Sequence, residues 1–264
     1  MITGSLVLYK NSSVQYSQLI MSFLNGCVGS LFIVDNSPVP LRNDLFQHSR
    51  VFYFHSGSNL GFGSGHNRAI ELIGGSSRFH LILNPDVFFD KDVIPHLVSV
   101  MEDNQDIGAL MPRVNNPDGS LQYLCKRLPT PIDLIIRRFI PIKLLHDYAN
   151  NRLELHDLPQ DRLVDVPIIS GCFLLVRGDL FNTIGGFDNR YFMYLEDVDL
   201  VRRIGSLARV VYDPRVCITH AHEKGSYRNM KLLGYHIASA IKYFNKWGWF
   251  FDSTRRKRNA VMLR

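Results

Sequence analysis

The sequence predicts an α/β fold with a mostly parallel central sheet flanked by helices. Short apolar runs at residues 5–9, 31–34, 51–54 and 79–83 alternate with segments of helical spacing, the pattern of a sheet covered on both faces. An apolar content of 46% in 264 residues suffices for a large core. Asp35 and Asn36 follow the run 31–34, Asp86 follows the run 79–83 across Asn84-Pro85, and open sheets of this kind bind ligands beyond the carboxyl ends of their strands.

Taken in order, residues 5–9 read as a strand, 14–24 as a helix, 31–34 and 51–54 as strands, 65–73 as a helix, and 79–83 as a strand running into Asn84-Pro85-Asp86. A helix over 92–102 and a strand over 107–112 complete a first half, about 1–115, closed by the turn Asn116-Pro117-Asp118-Gly119. In the second half, 116–228, the proline-rich, basic stretch 125–165 has no sustained periodicity and is expected to be irregular. Residues 166–176 read as one strand, followed by a short helix ending at Gly185-Gly186. Val198, Leu200, Val201 and Ile204 mark a helix opening at Glu196-Asp197, where its dipole favours acidic residues. Strands follow at 208–212 and 216–219. In the tail, 229–264, Met230, Leu233, Ile237, Ile241, Phe244, Trp247 and Phe251 form one stripe of an amphipathic helix.

A net charge of +6 and a pI of about 9.2 favour anionic partners. The basic residues are not interleaved with aromatics on one face of a nucleic-acid fold, so no nucleic-acid partner is expected. Trp247-Gly248-Trp249-Phe250-Phe251 beside Arg255-Arg256-Lys257-Arg258 suits an anionic membrane surface, the competing expectation being a helix docked on the domain. Cys27, Cys125, Cys172 and Cys217 form no CxxC pair and are expected to be core thiols in a reducing compartment. No secretion signal and no stretch near the ~20 apolar residues of a membrane span is present. The expected location is cytoplasmic, peripheral on the inner face of the plasma membrane.

Two acidic segments carry the candidate chemistry. Asp86 could hold a divalent cation against a phosphate, because Mg²⁺ needs only one or two carboxylates when substrate phosphates complete its shell. In Glu196-Asp197-Val198-Asp199, Asp197 could face a cleft as a general base, walled by the aromatics of 191–194. Taken alone, each segment also fits a plain role, a strand-ending turn or a capped helix start. His220 and His222 alternate on an extended segment, so one of them faces a given side. The glycines of Asn59-Leu60-Gly61-Phe62-Gly63-Ser64-Gly65 let a backbone pass close to a ligand or strand.

In order along residues 5–228, these segments resemble the inverting glycosyltransferases of family 2, with the GT-A fold, in the bacterial rhamnosyltransferase-like branch. The resemblance rests on Val7-Leu8-Tyr9-Lys10-Asn11, Ile33-Val34-Asp35-Asn36-Ser37, Asn59-Leu60-Gly61-Phe62-Gly63 with Asn67, Leu83-Asn84-Pro85-Asp86, Ser170-Gly171 and Gly185-Gly186-Phe187-Asp188 running through Tyr194-Leu195-Glu196-Asp197-Val198-Asp199-Leu200. It implies that Tyr9, Asp35, Asn59, Asn67, Asn84 and Asp86 bind the donor, that Asp86 and His220 hold Mg²⁺ or Mn²⁺, and that Asp197 is the base. Gly171, Tyr194 and Glu196 would lie on the acceptor side, with 125–165 as an acceptor-side loop. Asn84 stands where many relatives have an aspartate, and Lys10 where the threonine-tyrosine-asparagine pattern shifts by one. The implied partners are a nucleotide-diphosphate sugar, deoxythymidine diphosphate rhamnose or a uridine diphosphate hexose, and a glycan or lipid-linked glycan of a bacterial surface polysaccharide. A sugar-1-phosphate nucleotidylyltransferase is a weaker match, because Tyr9-Lys10-Asn11-Ser12-Ser13 lacks its glycine-rich loop. A non-catalytic nucleotide- or membrane-binding module is the other alternative.

Overall fold

The computed structural model describes residues 1–74, 77–139, 143–221 and 230–260. Its first half follows the alternation of the sequence: β1 (Ile2–Leu8), α1 (Ser13–Gly26), β2 (Ser30–Asp35), β3 (Val51–His55), α2 (Phe62–Ile73), β4 (Phe79–Leu83), β5 (Val87–Phe89), α3 (Val93–Asp103) and β6 (Ile107–Asn115). Strand β1 pairs in parallel with β2 and β4, and β2 with β3, so the carboxyl ends of four strands share one edge. α2 stops where Gly74 takes the left-handed conformation (φ 69°) that side chains resist.

The second half corrects three expectations. Residues 166–176 do not make one strand. Only their end is strand, in β8 (Phe173–Arg177), which runs antiparallel between β4 and β6, and the short β7 (Val164–Asp165) precedes them. Residues 208–212 and 216–219 join into the single strand β9 (Arg209–His220), which pairs with β6 and absorbs the break between them as a register shift opposite Pro112 and Arg113. The stretch 125–165, expected to be irregular, holds helices α4 (Pro131–Phe139) and α5 (Lys143–Leu153). Its prolines punctuate: Pro131 occupies the first helical position, where its missing N–H costs nothing. Thr130 and Asp133 bond reciprocally across that helix start.

The sheet order is β3-β2-β1-β4-β8-β6-β9-β5, with β7 beside β9. β4, β8 and β6 are buried almost throughout and form the centre of the core. The short helix α6 (Gly178–Thr183) and α7 (Glu196–Ile204) follow β8, and the tail forms α8 (Met230–Trp247) and α9 (Ser253–Ala260). Tyr243 and Phe244 of α8 pack with Tyr191 and Leu195 in a second, small apolar cluster. The apolar stripe read from the tail is therefore split: Phe244 turns inward, whereas Met230, Ile237, Ile241 and Phe251 are exposed. The basic cluster is split as well, with Arg255 buried and Arg256 and Lys257 exposed. Cys125 and Cys172 are core thiols, but Cys217 is exposed, because β9 turns Ile218 inward and its neighbour out. Among the described residues, no helix is long and apolar enough to cross a membrane.

Candidate active site

Asp197 is delivered by an unusual backbone. Tyr194 (φ 69°) and Leu195 (φ 64°) both take the left-handed conformation immediately before α7, a strain of about 1–2 kcal/mol for each residue. Long-range contacts hold the turn: Leu195 is buried against Tyr243 and Phe244, Ser239 Oγ donates to Met193 O at 2.8 Å, and the Tyr194 ring lies 5.2 Å from that of His236. The turn aims Glu196 and Asp197 into a cavity of about 260 Å³, also lined by Lys126, Ser170, Tyr194 and His236. There Asp197 Oδ2 accepts from Gly171 N at 3.1 Å, and Oδ1 from Val198 N at 2.8 Å. A Cβ on residue 171 would stand 3.0 Å from the Asp197 Cβ, so glycine lets the carboxylate approach.

Burial pushes the Asp197 carboxyl up, and the amides of Gly171 and Val198 and the charge of Lys126 hold it back. Glu196, 6% exposed, is pushed up to about 8, by burial first and then by the charge of Asp197. Of the two, Glu196 is the one held nearer its protonated form at neutral pH. The third carboxylate of the motif, Asp199, is consumed by structure: it is fully buried and bound by Arg203, Lys246 and the Trp247 indole N–H.

Asp86 and His220 meet at the end of β4. β5 pairs Val87 with His220, and this register brings His220 Nε2 to 3.3 Å from Asp86 Oδ1. The ring orientation follows from Gln122. Both of its amide hydrogens are spent, on Asn116 Oδ1 and on the His220 carbonyl, so Gln122 Oε1 accepts from His220 Nδ1 at 3.1 Å. In the neutral ring Nε2 then carries the lone pair and directs it at a carboxylate. Two adjacent ligands of an octahedral Mg²⁺, each about 2.1 Å from the ion, lie roughly 3 Å apart. The pair thus fits two positions of a divalent cation whose remaining ligands come from phosphate and water. Among the described residues no group of three or more His, Cys, Asp or Glu could hold an ion unaided. His222 lies outside the described residues.

Of the other expected donor residues, Tyr9, Asp35 and Asn84 stand at the ends of β1, β2 and β4, and Asp35, Asn67 and Asn59 are already engaged. Asp35 is buried, with Oδ1 accepting from Ser37 N and Oδ2 from Leu41 N and the Tyr53 hydroxyl. Burial works against its charge, but these donors outweigh it and hold its carboxyl below the usual range. Asn67 spends its amide on the backbone of Phe187 in both directions, at 2.8 Å each, and so ties α2 to the Gly186 turn. Asn59 Oδ1 accepts from Gly61 N, and Gly61 (φ 87°) passes so close to the Phe192 carbonyl that a Cβ would clash with it. Tyr9 is 43% exposed at the end of β1, and Asn84 donates its backbone N–H to Cys172 O at 2.8 Å.

That last bond joins the two acidic segments. Residues 170–172 enter β8 between the end of β4 and the start of α7, and the buried Cys172 thiol registers both sides. Burial pushes it up to about 12; the Ser170 hydroxyl opposes this, and the charges of Asp86 and Asp197 add to it. The sequence did not single out Lys126, Arg127 or His236, all of which line the Asp197 cavity. The basic pair Lys126-Arg127 within the proline-rich stretch was the available signal.

A parallel-edged α/β sheet with a recessed carboxylate and a carboxylate–histidine pair at a strand end fits a sugar-transferring enzyme of GT-A architecture. Residues 31–185 match the family described as Glycosyl transferase family 2, and the chain belongs to that family; it is a glycosyltransferase. It is 32% identical over 237 residues to the N-acetylglucosaminyl-diphospho-decaprenol L-rhamnosyltransferase of Mycobacterium tuberculosis, covering 83% of this chain and 75% of the relative. It is 28% identical over 222 residues to rhamnosyltransferase WbbL of Escherichia coli, covering 81% of each. In fold it resembles GalNAc-T7 solved with UDP, GalNAc and Mn²⁺ (TM-score 0.65, 11% identity), spanning 99% of this chain and 50% of that one. It also resembles the mannosyltransferase PcManGT of Pyrobaculum calidifontis solved with GDP-Man and Mn²⁺ (TM-score 0.55, 15% identity), spanning 91% and 64%.

Proposed function

We propose that this chain transfers L-rhamnose, with inversion, from deoxythymidine diphosphate rhamnose to a lipid-linked glycan acceptor in the synthesis of a cell-surface polysaccharide. The observation that carries the proposal is the recessed Asp197 carboxylate, held by two backbone amides and open to a cavity. The rhamnosyl and lipid-linked parts rest on the activities of the similar proteins.

In this scheme an Asp197 oxygen takes the proton of an acceptor hydroxyl. The oxygen attacks the anomeric carbon from the face opposite the diphosphate, and the bond to the diphosphate breaks in the same displacement, which inverts the centre. Protonated Glu196 adds no second charge beside the base and offers the acceptor a hydrogen-bond donor. A divalent cation, Mg²⁺ or Mn²⁺, held by Asp86 and His220, would offset charge on the departing diphosphate. Tyr9, Asn59 and Asn84 are placed to meet the donor, while Asp35 and Asn67 shape the edge that receives it. Exposed Ile237, Ile241, Phe250 and Phe251, with Lys242, Arg256 and Lys257, support peripheral docking on an anionic membrane surface.

The test is transfer from a panel of nucleotide sugars, uridine diphosphate hexoses included, with Mg²⁺, with Mn²⁺ and with chelator. Asp197→Asn is expected to lower turnover about 10²- to 10⁴-fold, and Asp86→Ala to abolish the response to the cation. Turnover unchanged in both variants would sink the proposal. Vesicle co-sedimentation of the same protein and of Phe250→Ser/Phe251→Ser tests the docking face, and equal binding removes it.

A further inference from the structure

The strip from Lys126 to Thr130 forms one wall of the Asp197 cavity and is fixed from both sides. Lys126 bridges Glu154 and Ile168 through its backbone and pairs with the Glu154 carboxylate at 3.5 Å. Arg127 N donates to Leu153 O, and the Asn259 side chain of α9 clasps Leu128 at both its N–H and its carbonyl. Arg255 of the same helix reaches the Pro129 carbonyl, and Thr130 is bound to Asp133. One group on this strip takes no part in holding it: the Arg127 guanidinium makes no hydrogen bond or ion pair among the described residues, and its Nε is buried.

Arg127 also lines a second, wider cavity of about 650 Å³ and so stands on the threshold between it and the Asp197 cavity. Two of the carboxylates on the wider cavity are already neutralised, Asp165 by Arg209 and Glu154 by Lys126. Arg162 adds a further positive charge to its rim, against Asp157. A fixed guanidinium with unspent donors, one residue from the lysine whose charge Asp197 feels, is suited to a planar, bidentate anion such as a phosphate ester.

We propose that Arg127 binds the diphosphate of the acceptor, which leaves the sugar next to that diphosphate in the Asp197 cavity. The inference rests on the reading of the acceptor as a glycan carried on a lipid diphosphate. Phosphate on a phospholipid headgroup has the same chemistry, and the assay separates the two sources.

Octyl diphosphate is titrated into the full chain by calorimetry, in chelator and without donor, so that neither turnover nor the cation site contributes. Arg127→Ala is expected to weaken binding about 10- to 100-fold, Arg127→Lys less, and Asp86→Ala not at all. The thermal midpoint should match wild type, because the guanidinium makes no bond among the described residues; Arg127→Gln serves if the alanine variant melts early. Three outcomes would overturn the site: no binding of octyl diphosphate by wild type, equal binding by Arg127→Ala, or a loss that follows Asp86→Ala instead. In a parallel arm with phosphatidylglycerol vesicles, a loss confined to the vesicles would assign the arginine to headgroups and overturn it too. Since no transfer is measured, failure here leaves the role of Asp197 untouched, and failure of Asp197→Asn leaves the binding result standing.

Discussion

The strand edge proposed to take the donor and the side proposed to take the acceptor are built by opposite means. At the strand edge, the ends of β1, β2 and β4 place residues by parallel register, and Asp35 is bonded to the nearby backbone of Ser37 and Leu41. On the acceptor side, Glu196 and Asp197 follow two residues of strained backbone, one carboxyl is buried in its protonated form, and the support comes from a helix about fifty residues on. The contrast teaches that the first region is a scaffold stable on its own terms, whereas the second is held in a costly arrangement by the tail.

The sharpest way to break that comparison is to cut the tail's hold. Arg202 of α7 is 1% exposed, forks onto Asp252 at 2.6 and 2.7 Å, donates to the Tyr243 hydroxyl and stacks on Trp247. Asp252→Ala leaves that charge buried without its partner and is expected to cost about 3–5 kcal/mol of stability, read from denaturant midpoints. A loss under about 1 kcal/mol would show that α7 stands without the tail.

The second effect sharpens the contrast through pH. The Glu196 carboxyl lies near 8 in the folded chain against an ordinary value of 4.5, so the folded state binds the proton more tightly. Its contribution is fully present below 4.5 and is lost as pH rises towards 8, at about 1.4 kcal/mol per pH unit in the limit of no relaxation. Glu196→Gln cannot ionise, so its stability should fall less than that of wild type between pH 5 and 8 in thermal or urea unfolding. Parallel curves would mean that water reaches the carboxyl and that burial does not hold its proton.

The same contrast explains what the sequence disclosed. Strand–helix alternation is local, so β1 to β4, β6 and the position of Asp86 could be read from periodicity and turn residues, while the three-residue β5 was missed. The ordered acidic motif pointed to Asp197 for the same reason. What could not be read depends on contacts between distant segments: the break of 166–176 at Gly171, the inward turn of Arg255 and Phe244, and the bonding that saturates Asp35 and Asn67. Residues 125–165 were misread for another reason, since proline was taken as a breaker where Pro131 begins a helix.

The smallest expected effect tests whether Gly171 is there for the base or for the chain. Its backbone N–H holds Asp197 Oδ2, and an added Cβ would meet the Asp197 Cβ at 3.0 Å, tighter than ordinary contact but short of a clash. Asp197 lies at the first turn of α7, beyond the strained residues, and can give by a few tenths of an ångström. Gly171→Ala should therefore move the carboxylate more than it disturbs the fold. A shift of that size in a positioned base is expected to lower kcat about 10-fold, with donor KM and unfolding midpoint close to wild type. If the midpoint falls and kcat does not, the glycine serves the turn into β8. In that case the close approach to Asp197 is a by-product of packing.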